Sequence, residues 1–172
     1  SIEEILAKQE YQCLHKAVAG FEAPRILDVG AHIGCFGAAM LSLNSKCEIL
    51  SVEASPKNFR VLQENVQAAR STGLSWQCIN AAAAEKSAEL RYLSDTGPSM
   101  SHRVSTRPKG IPVQTITLAE MIDAVRPNTE EIDICKVDIE GSEAAFLNGA
   151  ECFLSRVKIL IIELHPDLCD TN

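Results

Sequence analysis

Short apolar runs alternate along the chain with longer stretches in which apolar residues recur every three or four positions. The runs predict buried strands, and the spaced pattern predicts helices that bury one face. The predicted strands cover residues 25–30, 48–53, 76–80, 111–116, 132–138 and 157–163, and the predicted helices cover residues 3–19, 34–43, 57–70, 118–125 and 143–154. This alternation predicts an α/β fold with a doubly wound, mostly parallel sheet and helices on both of its faces.

Turn and capping residues sharpen the boundaries of these elements. Ser55-Pro56 supplies a helix cap followed by a first-turn proline, and Thr117 with Glu120 has the spacing of a capping box. Residues 88–94 alternate as in a half-exposed strand, and residues 95–110 are predicted to form a long loop. The length of 172 residues suits one domain over residues 25–172, with a helix in residues 1–24 packed on it.

The charge and composition of the chain indicate which classes of partner to expect. The net charge is -7, whereas proteins that bind nucleic acids usually carry a basic excess. No apolar run reaches the roughly 18 residues of a membrane span, and the first residues lack the plan of a secretory signal. The seven cysteines form no Cys-x-x-Cys pair, so free thiols in a reducing compartment are expected. We therefore expect a cytoplasmic protein without a nucleic-acid or membrane partner, and the oligomeric state stays open.

A glycine loop follows the first predicted strand. The apolar run of this strand reaches Asp28, Gly30 and Gly34 frame the loop, and Glu53 ends the next strand. An acid about 20 residues beyond such a loop binds ribose hydroxyls in nucleoside-binding sheets. The spacing is not Gly-x-Gly-x-x-Gly, which serves a pyrophosphate, so S-adenosylmethionine fits better than a nicotinamide dinucleotide. Its carboxylate would use amides at the helix start, and its amino group an acceptor near Asp28.

Polar residues or glycines follow every strand of the predicted core sheet. Ligands bind at the carboxyl ends of parallel strands, where the order of the sheet reverses. This rule places the site at residues 28–34, 53–55, 80–82, 138–142 and 163–165. Three acids, Asp138, Glu140 and Glu143, crowd one of these turns, and such crowding needs nearby cations or donors.

These segments together resemble the FkbM family of S-adenosylmethionine-dependent methyltransferases, which are commonly O-methyltransferases. The resemblance covers about residues 25–166 and rests on Ile-Leu-Asp-Val-Gly-Ala-His-Ile-Gly, Val-Glu-Ala-Ser-Pro, Asn-Ala-Ala-Ala-Ala-Glu, Lys-Val-Asp-Ile-Glu-Gly-Ser-Glu and Ile-Glu-Leu-His. It implies a Rossmann-like class I methyltransferase fold. Such sheets usually continue with a further helix and a hairpin, so we expect a form truncated after the fifth core strand, or a tail outside this sequence.

The resemblance also implies roles for individual residues. The residues expected around the cofactor are Asp28, Gly30, Ala31, Gly34, Glu53, Ala54, Asn80, Ala82 and Asp138. A hydroxyl acceptor gains from a base that takes its proton. The candidates are Asp138, His165 and Glu140, ahead of Glu163 and His32. No metal ligand set is expected.

The function predicted on these grounds is O-methylation of a small-molecule or sugar hydroxyl. Two alternatives stay open. The first is a nicotinamide-dependent oxidoreductase, which the missing glycine fingerprint disfavours. The second is a non-catalytic module that keeps the fold and binds the cofactor.

Overall fold

A five-stranded parallel sheet forms the centre of the computed structural model, which describes residues 11–94, 104–125 and 131–165. Its strands are β1 (Arg25–Val29), β2 (Glu48–Glu53), β3 (Ser75–Asn80), β8 (Ile132–Val137) and β9 (Val157–Ile162). They lie in the order β3-β2-β1-β8-β9, and every neighbouring pair is parallel. The chain thus builds one half of the sheet outward from β1 and then returns to the other side of β1 with β8.

Helices cover both faces of this sheet. In the described residues they are α1 (Gln12–Gly20), α2 (Cys35–Leu43), α3 (Pro56–Ser71), α4 (Leu118–Val125) and α5 (Glu143–Leu154). The first three pack with Ile26 and Trp76 on one face, and the last two pack with Leu27 and Val137 on the other. The predicted doubly wound architecture is therefore confirmed. None of the helices in these residues is long and apolar enough to cross a membrane.

The predicted caps are present. Ser55 accepts a hydrogen bond from the Asn58 backbone N–H (3.4 Å) ahead of α3. Thr117 and Glu120 exchange bonds at the start of α4: the Thr117 N–H donates to Glu120 Oε2 (2.9 Å), and the Glu120 N–H donates to Thr117 Oγ1 (3.3 Å). α1 begins at Gln12, so residues 3–10 of the predicted first helix lie outside the described residues.

A second, smaller sheet departs from the predicted uniform alternation. It holds β4 (Ala82–Ala83), β5 (Leu90–Leu93), β6 (Val104–Ser105) and β7 (Ile111–Ile116) in the order β4-β7-β5-β6. β5 is antiparallel to both of its neighbours. No helix is predicted between residues 94 and 111, and without a crossover element two successive strands pair antiparallel. Within the predicted loop of residues 95–110, residues 95–103 lie outside the described part and Val104–Ser105 are strand.

Candidate active site

The turns after β1 and β8 touch where the order of the central sheet reverses. Gly30 has a left-handed backbone (φ 82°), and a Cβ there would lie 1.7 Å from the carbonyl oxygen of Asp138. The Asp138 N–H donates to the carbonyl oxygen of Val29 (3.0 Å), and Lys136 Nζ donates to that of Gly30 (2.9 Å). Only glycine fits at position 30, because the two turns are packed backbone to backbone.

Lys136 is a buried cation beneath this junction. Its Nζ lies 3.6 Å from Asp28 Oδ1 and 3.2 Å from Asp138 Oδ2. Burial disfavours its charged form, but the carboxylates of Asp28 and Asp138 raise the pKa of Lys136 above its ordinary value. Asp28 is fully buried, and its Oδ2 accepts from Ser51 Oγ (3.2 Å). The predicted contact of Asp28 with the cofactor stays a prediction, and its present partners are Lys136 and Ser51.

Glu53 closes β2 and holds the two turns beside it. Its Oε2 accepts from the His32 N–H (2.8 Å) and its Oε1 accepts from the Ser55 N–H (2.8 Å). Burial raises the pKa of Glu53 to about 7, against the lowering effect of these backbone bonds. The side chain of Asn58 also hydrogen-bonds to this carboxylate. A carboxylate has about four lone-pair sites, so at least one of them can still accept a hydrogen bond from a ligand hydroxyl.

Gly34 and Ala31 also stabilise the loop between β1 and α2. Gly34 (φ 92°) begins α2, and a Cβ there would lie 2.7 Å from Leu62 Cδ1 and 2.9 Å from the Trp76 ring. The Ala31 N–H donates to the carbonyl oxygen of Val52 (3.0 Å). Gly34 has no side chain that could cap α2. The first-turn N–H groups of α2 can therefore donate hydrogen bonds to a ligand at this edge of the sheet.

The remaining predicted cofactor residues surround the end of β2. Asn80 Nδ2 donates to the carbonyl oxygens of Glu53 (2.8 Å) and Ala54 (3.1 Å). Ala82 is buried against the small sheet, and Ala54 packs on the same cluster. The contacts proposed between these residues and a cofactor stay predictions.

On the other side of the junction, four carboxylates surround His165. Its Nδ1 lies 3.0 Å from Glu143 Oε1. Its Nε2 lies 3.9 Å from Asp138 Oδ1 and 3.8 Å from both Glu140 Oε2 and Glu163 Oε1. Burial disfavours the charged ring, but the bond to Glu143 and the charge of Glu140 raise the pKa of His165 above its ordinary value. The structure thus brings together all three predicted catalytic residues, Asp138, His165 and Glu140.

The turns of the site carry unusual backbone conformations. His32 (φ 53°) and Glu140 (φ 52°) are two of the three left-handed non-glycine residues in the described part of the chain. Such residues cost of order 1–3 kcal/mol each and persist only where the surroundings enforce them. Both lie at strand ends that the sequence assigns to the site.

Two residues of the site were not assigned a role from the sequence. Lys136 interrupts a buried apolar strand, and its register pairing with Asp28 follows once β1 and β8 are neighbours. Glu143 is predicted only as one of three acids that crowd a turn, and the structure shows it buried and bound to His165. Both sets of contacts depend on the order of the strands, and the pattern of apolar runs does not specify that order.

Asp138, Glu163 and His165 offer ligand atoms within 4.8 Å of one another, a spacing that one cation could bridge. The expected absence of a metal ligand set therefore stays a prediction.

The strand order and the polar strand ends define a Rossmann-like α/β fold of the class I methyltransferase type. Residues 28–170 match the family model described as the Methyltransferase FkbM domain, and the chain belongs to this family. The predicted family and fold are confirmed. The nicotinamide alternative gains no support from these matches.

One curated protein and two solved structures are similar to this chain. The hexuronic acid methyltransferase AglP of Haloferax volcanii is 28% identical over 142 residues, which are 80% of this chain and 54% of that protein. The chain therefore spans about half of its curated relative. The crystal structure of methyltransferase FkbM from Methylobacillus flagellatus KT aligns with a TM-score of 0.59 and 20% identity, over 81% of this chain and 32% of that one. Precorrin-6y C5,15-methyltransferase from Geobacter metallireducens GS-15 aligns at 0.50 and 11%, over 92% and 64%.

Proposed function

We propose that this protein transfers a methyl group from S-adenosylmethionine to a hydroxyl of a sugar-like small molecule. One observation carries the proposal: Glu53 and the start of α2 lie on one side of the β1–β8 junction, and His165 with its carboxylates lies on the other. In this proposal the first group is the nucleoside site and the second is the proton-accepting site. The named relative AglP, a hexuronic acid methyltransferase, supports a sugar-like acceptor.

The residues of the crevice fit this cofactor. Glu53 would accept a ribose hydroxyl with a remaining lone pair, and the uncapped N–H groups of α2 would receive the methionine carboxylate. Gly30, Ala31, Gly34, Ala54, Asn80 and Ala82 would form the wall around it. When bound, the cofactor supplies an electrophilic methyl group on a sulfonium.

The protein's own groups would then act on the acceptor. His165 Nε2 would take the hydroxyl proton while the acceptor oxygen forms its bond to the methyl carbon, and the electron pair of the breaking carbon–sulfur bond goes to sulfur. Asp138 and Glu140 would hold the acceptor and stabilise the charged ring. Lys136 fixes Asp138 by an ion pair of 3.2 Å.

The proposed partners and place of action rest on charge and thiols. A net charge of -7 supports a small-molecule acceptor over a nucleic acid. All six cysteines within the described residues are free thiols, which supports a reducing compartment such as the cytoplasm.

Calorimetry with S-adenosylhomocysteine tests the nucleoside site. We expect wild type to bind and Glu53→Gln to bind about 10- to 100-fold more weakly, since a hydrogen bond to a charged group contributes about 1.5–3 kcal/mol. Glu48→Gln, at the opposite end of the same strand, is the matched control and should bind as wild type does. Absence of binding by folded wild-type protein would overturn the proposal.

A transfer assay tests the reaction. Labelled S-adenosylmethionine is incubated with sugars that carry a uronic acid and with their neutral counterparts. Label in a sugar is expected. Binding of S-adenosylhomocysteine without transfer to any acceptor would favour the alternative of a non-catalytic module.

A further inference from the structure

The two ring nitrogens of His165 lie in different surroundings. Nδ1 faces one carboxylate oxygen at hydrogen-bonding distance, Glu143 Oε1 at 3.0 Å. Nε2 faces Asp138, Glu140 and Glu163 at 3.8–3.9 Å, too far for direct hydrogen bonds. The ring is 19% exposed, so a small molecule can reach it. Nδ1 is therefore bound to Glu143, whereas Nε2 faces a group of three carboxylates.

Glu143 is itself held rigidly. Its side chain is 1% exposed, and its Oε1 also accepts from the backbone N–H groups of Gly141 (3.0 Å) and Ile139 (3.3 Å). Burial alone would raise its pKa, but these bonds and the one to His165 hold the pKa of Glu143 below its ordinary value. An ionised carboxylate only accepts hydrogen bonds, so the hydrogen of the bond to His165 must lie on Nδ1.

We infer that Glu143 is a positioning residue that fixes His165 as the Nδ1–H tautomer and directs the lone pair of Nε2 toward the acceptor hydroxyl. The inference rests on the proposed function for the identity of the proton that Nε2 accepts. A neutral histidine without a fixed partner can carry its hydrogen on either ring nitrogen. The bond from Nδ1 to Glu143 selects the tautomer in which Nε2 has the lone pair and can act as the base. After transfer, the proton resides on Nε2, and Glu143 stabilises the resulting imidazolium.

The pH dependence follows from the groups that face the ring. These are Glu143 on α5, Asp138 and Glu140 in the turn after β8, and Glu163 after β9. All of them favour the protonated ring. His165 accepts a proton only when neutral, so kcat is expected to rise with pH through the raised pKa of His165. Removal of the Glu143 charge should move this rise to lower pH.

The experiment uses Glu143→Gln, which retains an oxygen for the Gly141 N–H and removes the charge. We expect kcat to fall about 100-fold and its rise to shift by about one pH unit to lower pH. The Kd of S-adenosylhomocysteine and the KM of the acceptor should change by less than about threefold. A role confined to folding would lower stability without moving the pH profile. Glu151→Gln, an exposed acid on the same helix, is the control and should behave as wild type.

Nitrogen NMR of the histidine rings gives a readout that needs no acceptor. His165→Gln identifies the signal, which in wild type should be that of an Nδ1–H tautomer, and in Glu143→Gln the same ring should titrate at lower pH. An Nε2–H tautomer in wild type, or an unchanged titration in Glu143→Gln, would overturn the inference. If these signals appear as expected and no acceptor is methylated, the proposed function fails and the positioning role stands.

Two further arms separate this role from others. Glu143→Gln combined with His165→Gln should lose no more activity than His165→Gln alone, because Glu143 acts through the ring. If the activity losses of the two single variants multiply in the double variant, the inference is overturned.

A second experiment tests for a bound cation. Assays with EDTA and with added Mg²⁺ should give equal rates, whereas a rate lost in EDTA and restored by Mg²⁺ would make Nε2 a cation ligand instead.

Discussion

Glu53 is a carboxyl whose burial has a measurable effect on stability. Burial raises its pKa from 4.5 to about 7 in the folded protein. The folded state therefore retains a proton that the unfolded state has lost between these values, so stability falls as pH rises from about 4.5 to about 7. The difference corresponds to about 3 kcal/mol. We expect Glu53→Gln to lose most of this dependence in urea unfolding at pH 5 and pH 8.

The control for this prediction is Glu48→Gln, which starts the same strand and should retain the wild-type dependence on pH. Equal pH dependence in Glu53→Gln and wild type would show that the carboxyl is not desolvated in solution.

The sequence predicts that Glu53 lies at a strand end, since this residue ends a clear apolar run. Its backbone partners His32 and Ser55 could not, because they depend on how two turns fold against each other.

At the scale of the elements, α2 packs on β3 through a glycine. A Cβ at Gly37 would lie 2.6 Å from the ring of Trp76. Trp76 is buried, and its Nε1 donates to Ser51 Oγ (3.0 Å), so the ring has little freedom to move aside. We expect Gly37→Ala to lower the free energy of unfolding by about 1–3 kcal/mol in urea, although alanine is the better helix former.

Gly20→Ala is the matched control, because no heavy atom lies within 4 Å of its added Cβ at the end of α1. It should leave stability within about 0.5 kcal/mol of wild type. Equal effects at both positions would mean that the Trp76 contact is looser than described. The starts of α3 and α4 could be predicted from the sequence, since each of their caps is a local sequence feature. The sequence predicts strands over residues 88–94 and 111–116, but not that they pair antiparallel in a separate sheet, because the pattern of apolar residues does not specify which strands pair.

At the scale of the whole molecule, the site depends on strand order. The sequence predicts which residues follow the core strands, and all of these ends lie at one edge of the sheet. It does not predict that β8 returns beside β1, and this return sets Lys136 against Asp28 and Gly30 against Asp138. The close contacts of Glu143 and His165 depend on the same return. The sequence therefore predicts which residues belong to the site, but it does not predict which of them contact one another.

Lys136 is the cation between the two halves of the sheet, and its removal tests that partnership. Lys136→Met retains the volume and leaves Asp28 fully buried without its ion pair. An uncompensated buried charge costs about 3–5 kcal/mol, so we expect a loss of that size in the free energy of unfolding. The measurement is urea unfolding at pH 7, where the unfolded carboxylate is ionised.

The double variant Asp28→Asn with Lys136→Met removes both charges and should recover at least about 1 kcal/mol relative to Lys136→Met alone. Recovery follows because an amide costs less to bury than a carboxylate without its cation. Strictly additive losses would mean that the two side chains do not interact across the β1–β8 junction. In that case Lys136 would act on the site through its ion pair with Asp138 and its hydrogen bond to the carbonyl oxygen of Gly30, and not through Asp28.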